Sequence, residues 1–225
     1  MSRPTVTLRL EQTLATAVRP SSRVLQVAAM FGLGVEEERV ERLIPPTKLR
    51  LGPGRIIFVQ GPSGSGKSTL LRLIEAAAPG CPAMRLLQAL GGVEESEAPL
   101  VEQLGETLAE ATSHLALAGL GDAFVMLRSP QELSDGQRYR WQLAKALHEA
   151  NRVDEAHLPV VLADEFAATL DRRTACLLAR SLRRFVTKTQ CCVVAATTHD
   201  DLLEGLAPDV LVHKPLGEAI EVLER

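Results

Sequence analysis

The residues best placed to do chemistry begin at Gly61. Gly61-Pro62-Ser63-Gly64-Ser65-Gly66-Lys67-Ser68-Thr69 follows directly on Arg55-Ile56-Ile57-Phe58-Val59 and runs on into Leu70-Leu71-Arg72-Leu73-Ile74. The spacing is G-x-x-x-x-G-K-[ST], set between a short apolar run and a helical one. Glycines let such a backbone curl into a ring of inward N–H groups. The helix N-terminus adds its dipole, so the loop suits the charge of a di- or triphosphate. In this setting Lys67 reaches the β- and γ-phosphates and the Ser68 hydroxyl holds Mg²⁺. ATP and Mg²⁺ are therefore the expected cofactors.

A second cluster lies downstream. Val160-Val161-Leu162-Ala163 is an apolar run ending in Asp164-Glu165. In a parallel sheet the C-terminal strand ends are where ligands sit. Asp164 is placed to hold Mg²⁺ through water, and Glu165 to polarise an attacking water. His199, in Thr198-His199-Asp200, leaves the end of the next apolar run and could donate to a γ-phosphate. Between the two clusters, Leu133-Ser134-Asp135-Gly136-Gln137 opens a helical stretch. By itself, Ser134 there could be an ordinary helix N-cap.

These groups need a scaffold. Arg55 to Val59, Pro159 to Ala163 and Cys191 to Ala196 are short, unalternated apolar runs, which predict strands buried on both faces; Asp209 to His213 is a candidate fourth. Thr5 to Leu10 alternates and predicts an edge strand. Ala175, Leu178, Ala179, Leu182, Phe185 and Val186 share one face of a helix after Asp171, and Leu143, Ala144 and Leu147 do so after Gln137. Buried strands alternating with helices predict an α/β fold, a parallel sheet covered by helices. Residues 76–130, rich in Ala, Leu, Glu and Gly, predict a mainly helical insertion within one domain spanning 1–225. With the helix after Ser134 it forms a helical subdomain over about 76–145. Glu36 to Glu41 and Glu94-Glu95-Ser96-Glu97 read as solvated, Gly32-Leu33-Gly34 as a turn, and Pro45-Pro46 as a helix breaker.

Taken in order, these motifs resemble those of ATP-binding-cassette (ABC) ATPases. That family carries L-S-G-G-Q before a helix, where this chain has L-S-D-G-Q with Asp135 in place of the first glycine. Ala168-Thr169-Leu170-Asp171 is similar to the family's S-A-L-D loop at the dimer interface, and His199 to its switch histidine. The resemblance implies a P-loop NTPase core with an inserted helical subdomain bearing the signature. It further implies nucleotide contacts from Ser134, Gly136 and Gln137 across a head-to-tail dimer. An aromatic residue stacked on adenine is also implied. Phe31 is the candidate for it, with core packing an equal reading. The family's glutamine could be Gln88 or Gln103. Met30-Phe31-Gly32-Leu33, L-S-D-G-Q-R-Y-R and Asp164-Glu165-Phe166 are similar to a narrower, stand-alone group, some of whose members are fused to an acetyltransferase-like domain.

Composition narrows the function further. Lys and Arg number 25 against 28 Asp and Glu, and aromatics are 3% of 225 residues. No global basic field draws in nucleic acid, and no stacking platform for single strands is indicated. Cys81, Cys176, Cys191 and Cys192 lack zinc-site spacing, and Cys191 and Cys192 should point to opposite strand faces. Inert thiols in a reducing cytoplasm fit. No run approaches the ~20 apolar residues of a membrane span, so any membrane role runs through a partner. The leading expectation is a soluble Mg²⁺-dependent ATPase acting as a nucleotide-gated homodimer. The alternatives are an energy-coupling subunit of a transporter, a DNA-associated ATPase and, last, a kinase or nucleotide sensor. The interval from Lys67 to Leu133 has no sustained heptads, against the coiled-coil arms of chromosome-maintenance ATPases.

Overall fold

The structure, a computed structural model, describes residues 3–16, 19–32, 34, 39–88, 96–217 and 219–225. Glu36 to Glu38, Glu94 and Glu95, and Leu33 lie outside the described residues. In chain order the elements are β1 (Val6–Thr16), α1 (Ser22–Met30), β2 (Arg39–Leu51), β3 (Ile56–Gln60), α2 (Lys67–Ala77), β4 (Met84–Gln88), α3 (Leu108–Leu117), α4 (Ala123–Met126) and α5 (Asp135–Arg152). After these come β5 (Leu158–Ala163), α6 (Arg172–Thr189), β6 (Cys192–Thr197), α7 (Leu203–Leu206), β7 (Val210–His213) and β8 (Glu221–Glu224).

Among the described residues six strands form one sheet in the order β4-β5-β6-β3-β7-β8, parallel except for β8. Its central strands are buried on both faces because their residues divide by parity. Ile57, Val59, Val160, Leu162, Val194 and Ala196 pack with α2 and the β1–β2 hairpin. Ile56, Phe58, Val161, Ala163, Val193 and Ala195 pack under α5 and α6. Cys191 and Cys192 divide the same way, each fully buried. Burial pushes both thiols up, Cys192 to about 12, so neither is a nucleophile at neutral pH.

The hairpin goes further than the alternation of Thr5 to Leu10 indicated. β1 runs on to Thr16, opposite Arg39 of β2. Glu41, expected in a solvated excursion, pairs with Leu14 in that ladder. Pro45 and Pro46 sit where its register slips, between the pairs Gln12–Ile44 and Leu10–Thr47. Two residues there oppose one, a bulge that tolerates the missing N–H groups.

The insertion also differs from its reading as helical from about residue 76. Met84–Gln88 is a strand, paired with Leu158–Leu162 at the sheet edge. The segment is Leu-rich rather than β-branched, so propensity gave little signal, and the free edge of β5 decides its state. Past it, Leu100, Leu104, Leu115, Leu120 and Val125 form a separate apolar cluster with Trp141 and Ala144 of α5. Leu143, Leu147 and Ala150 of the same helix pack on the sheet. α5 therefore belongs to both clusters and fixes the subdomain to the core. Trp141 is fully buried at that junction. We expect Trp141→Ala to cost about 3–5 kcal/mol in urea unfolding, whereas substitution of the exposed Leu127 changes stability little.

Candidate functional site

β3 delivers the chain to the phosphate loop. At Gly61 a Cβ would lie 2.0 Å from the carbonyl oxygen of Lys214, which follows β7, so no side chain fits. Pro62 accepts from the Ser65 amide at 3.3 Å, tightening the turn. Gly66 closes it at φ 100°, in the left-handed region that glycine tolerates. α2 starts there with no side-chain cap, so its first-turn donors are not consumed by a neighbouring side chain. Lys67 is buried, and its Nζ donates to the carbonyls of Gly61 at 2.9 Å and Pro62 at 2.8 Å. Burial lowers its pKa, while Asp164 and Glu165 pull it back up.

Beside the loop opens a cavity of about 460 Å³ lined by Ser63, Gly64, Gly66, Lys67, Ser68 and Thr69, together with Asp164, Glu165, Thr197 and Thr198. The two expected clusters thus meet at the C-terminal ends of β3, β5 and β6. Asp164 Oδ1 accepts from the Glu165 amide at 3.0 Å. Glu165 and Ala167 both hold positive φ, 49° and 58°, in a turn anchored by fully buried Phe166, whose amide donates to Ala196 at 2.8 Å. Strain of ~1–3 kcal/mol per such residue persists where surrounding packing enforces it, and it collects at functional sites. His199 leaves β6 half-buried, its amide donating to Thr197 Oγ1 at 3.3 Å. It stands next to the cavity-lining Thr198 but does not itself line the cavity.

Ser134 N-caps α5, as its residue type suggested. Its Oγ accepts from the Gln137 amide at 3.4 Å, and Gln137 Oε1 accepts from the Ser134 amide at 3.1 Å. Gly136 lies against Thr169, whose Oγ1 would be 3.1 Å from a Cβ there. Asp135 is almost wholly exposed and pairs at 3.2 Å with Arg138, which also donates to the Leu133 carbonyl at 3.1 Å. Ser134, Gly136 and Gln137 do not line the phosphate-loop cavity of their own chain.

No family model matches the chain. Among curated proteins it is 30% identical over 189 residues to the lipoprotein-releasing system ATP-binding protein LolD of Rhodopseudomonas palustris, covering 69% of this chain and 78% of the relative. It is 32% identical over 171 residues to LolD of Anaeromyxobacter dehalogenans, covering 61% and 68%. The chain belongs to the ATP-binding cassette family. As a member it is an ATP-hydrolysing enzyme, and a solved cassette shares its fold. The dimeric post-hydrolysis structure of the ATP-binding cassette MJ0796 with ADP and Pi superposes with a TM-score of 0.61 at 18% identity, over 83% of this chain and 92% of that one.

Position separates the two candidate glutamines and describes Phe31. Gln88 ends β4 and borders a smaller cavity with Ser68 and Asp164, whereas Gln103 donates to the Ala98 carbonyl at 2.6 Å within the insertion. Gln88 is thus the candidate that lies beside Ser68 and Asp164. The signal that could have found it is the strand that it terminates. Core packing, one of the two readings of Phe31, does not fit the structure. Its side chain is 72% exposed, at the end of a helix with no buried residue, and it lines no part of the phosphate-loop cavity. The β1–β2 connection carries it away from the core. Leu43 of β2 lies against Gly66 instead and closes the cavity on that side. Lys67→Ala is expected to abolish ATP binding at micromolar nucleotide, because no other side chain lining this cavity carries a positive charge. Isothermal calorimetry tests it, with unchanged affinity the contrary result.

Proposed function

We propose that this cassette is the energy-coupling ATPase subunit of a membrane transporter, working as a nucleotide-gated pair of copies. The observation that carries the reading is the division of the site. One chain gathers Lys67, Ser68, Asp164 and Glu165 around a cavity and leaves Ser134 outside it. A second copy placed head to tail would bring Ser134 and the donors at its α5 N-terminus to the γ-phosphate. The names of the relatives favour transport over the free-standing ATPase that the motifs alone put first. No helix of the described residues is long and apolar enough to cross a membrane, and in this reading a partner supplies the membrane spans.

In this reading Gly61 to Thr69 wrap the phosphates, and Lys67 leaves its loop carbonyls for the β- and γ-phosphate oxygens. Leu43 offers the base an apolar wall. Ser68, Asp164 and Gln88 form a hard oxygen donor set suited to Mg²⁺, which when bound would neutralise phosphate charge. Glu165 orients the attacking water, and the His199 imidazole donates to the γ-phosphate. Loss of that phosphate removes the charge joining the copies, and they part.

Asp135 modulates the closure. A bare carboxylate ~5 Å from a partner's γ-phosphate would repel it by roughly 3 kcal/mol at an effective dielectric near 20. Arg138 already pairs with Asp135 and offsets part of this. Asp135→Gly should therefore tighten ATP-driven dimerisation, and Arg138→Ala, which unmasks the carboxylate, should weaken it. Sedimentation with Mg-ATP measures both, and a weakened Asp135→Gly dimer would contradict the repulsion.

The reading as a whole is tested with Glu165→Gln. It should retain ATP, lose turnover and accumulate as a dimer in light scattering at tens of micromolar protein. Captured from native membranes with Mg-ATP, it should bring down an integral membrane protein. A dimer recovered only from the aqueous fraction would favour a free-standing ATPase, and a monomer in all conditions would remove the paired site.

A further inference from the structure

Tyr139 carries a group that nothing so far uses. Its hydroxyl is buried and has no hydrogen-bond partner among the described residues. An orphaned buried hydroxyl is costly, and removing it is normally neutral or stabilising. Its placement suggests what the cost supports. Tyr139 lies one helical turn after Gly136, which rests against Thr169 in the loop beyond Glu165. One turn further on, Leu143 belongs to the same buried cluster as Ala163 and Phe166, the residues on either side of Asp164 and Glu165. The phenol therefore stands between α5 and the end of β5. Burial, helped by the negative charges of Asp164 and Glu165, raises its pKa, so it remains a neutral donor. Asp164 already accepts from the Glu165 amide and shares cavity walls with Ser68 and Gln88. Among the described residues no such contact holds the exposed Glu165 carboxylate.

Resting on the reading of Glu165 given above, we propose that the Tyr139 hydroxyl is a positioning donor to the Glu165 carboxylate in the nucleotide-bound state. Ser134 and Tyr139 are five residues apart at the start of α5, about 7.5 Å along a helix. The end of α5 that meets a second copy's ATP would then also orient the water-polarising carboxylate of its own chain, linking the two ATP sites.

Tyr139→Phe keeps the ring and removes only the hydroxyl. The unliganded variant should melt at the wild-type temperature or about 2 °C above it. ATP affinity and KM should stay unchanged, while kcat falls about tenfold, the size of a lost hydrogen bond to a charged group. Tyr139→Gln, which restores a donor without the ring, should recover part of kcat. Wild-type kcat in Tyr139→Phe would overturn the proposal. So would a lower melting temperature accompanying the loss of activity, since the hydroxyl would then be structural. If Glu165→Gln keeps wild-type turnover, the role of Glu165 fails and the positioning role fails with it. If Glu165→Gln is inactive and Tyr139→Phe fully active, only the role of Tyr139 fails.

Discussion

A buried ammonium with no carboxylate among the described residues in hydrogen-bond contact is the constraint on which this structure depends. In the unliganded chain Lys67 rests on two carbonyls of its own loop. Burial disfavours its charge, and Asp164 and Glu165 restore part of what burial removes. Phosphate oxygens would satisfy Lys67 better than carbonyls do. The two carboxylates must lie near enough to support the charge but not close onto it, because a direct ion pair would compete with the ligand. Their strand, β5, is two places from β3 in the sheet, with β6 between, and that spacing leaves the cavity open.

Around this the remaining elements act as supports. Gly61 is pressed onto the Lys214 carbonyl, so the position of β7 determines where the loop can turn. Phe166 anchors a backbone held at positive φ on both sides and so fixes the direction in which Glu165 points. α5 joins the inserted subdomain to the sheet through Trp141 on one side and Leu143 and Leu147 on the other. Ser134 at its start and the turns seated on the core thus belong to one continuous helix.

Two features give this cassette its own character. Asp135 replaces a glycine in the signature, and Arg138 answers it one turn later. Leu43 gives the phosphate-loop cavity an aliphatic wall, which supplies apolar contact without the quadrupole that favours stacking.

Much of this was legible in the sequence because it depends on local geometry. The loop from Gly61 to Thr69, the Asp164-Glu165 strand end and the Ser134 cap are each written in a few adjacent residues whose types have little other use in that order. The buried strands were visible because a sheet covered on both faces needs unbroken apolar runs, and the parity of Cys191 and Cys192 followed from the pleat. What only the tertiary structure decided are long-range pairings between segments that carry no local signal. Met84–Gln88 becomes a strand because β5 offers it an unpaired edge, and that pairing singles out Gln88 over Gln103. Phe31 stands exposed at the end of the helix between β1 and β2, and Leu43 of β2 lines the phosphate-loop cavity, placements that only the hairpin's course decides. Nor could the neighbours of Tyr139 be read from its sequence context, since a phenol on a helix is ordinary until packing removes its water and leaves two carboxylates close by.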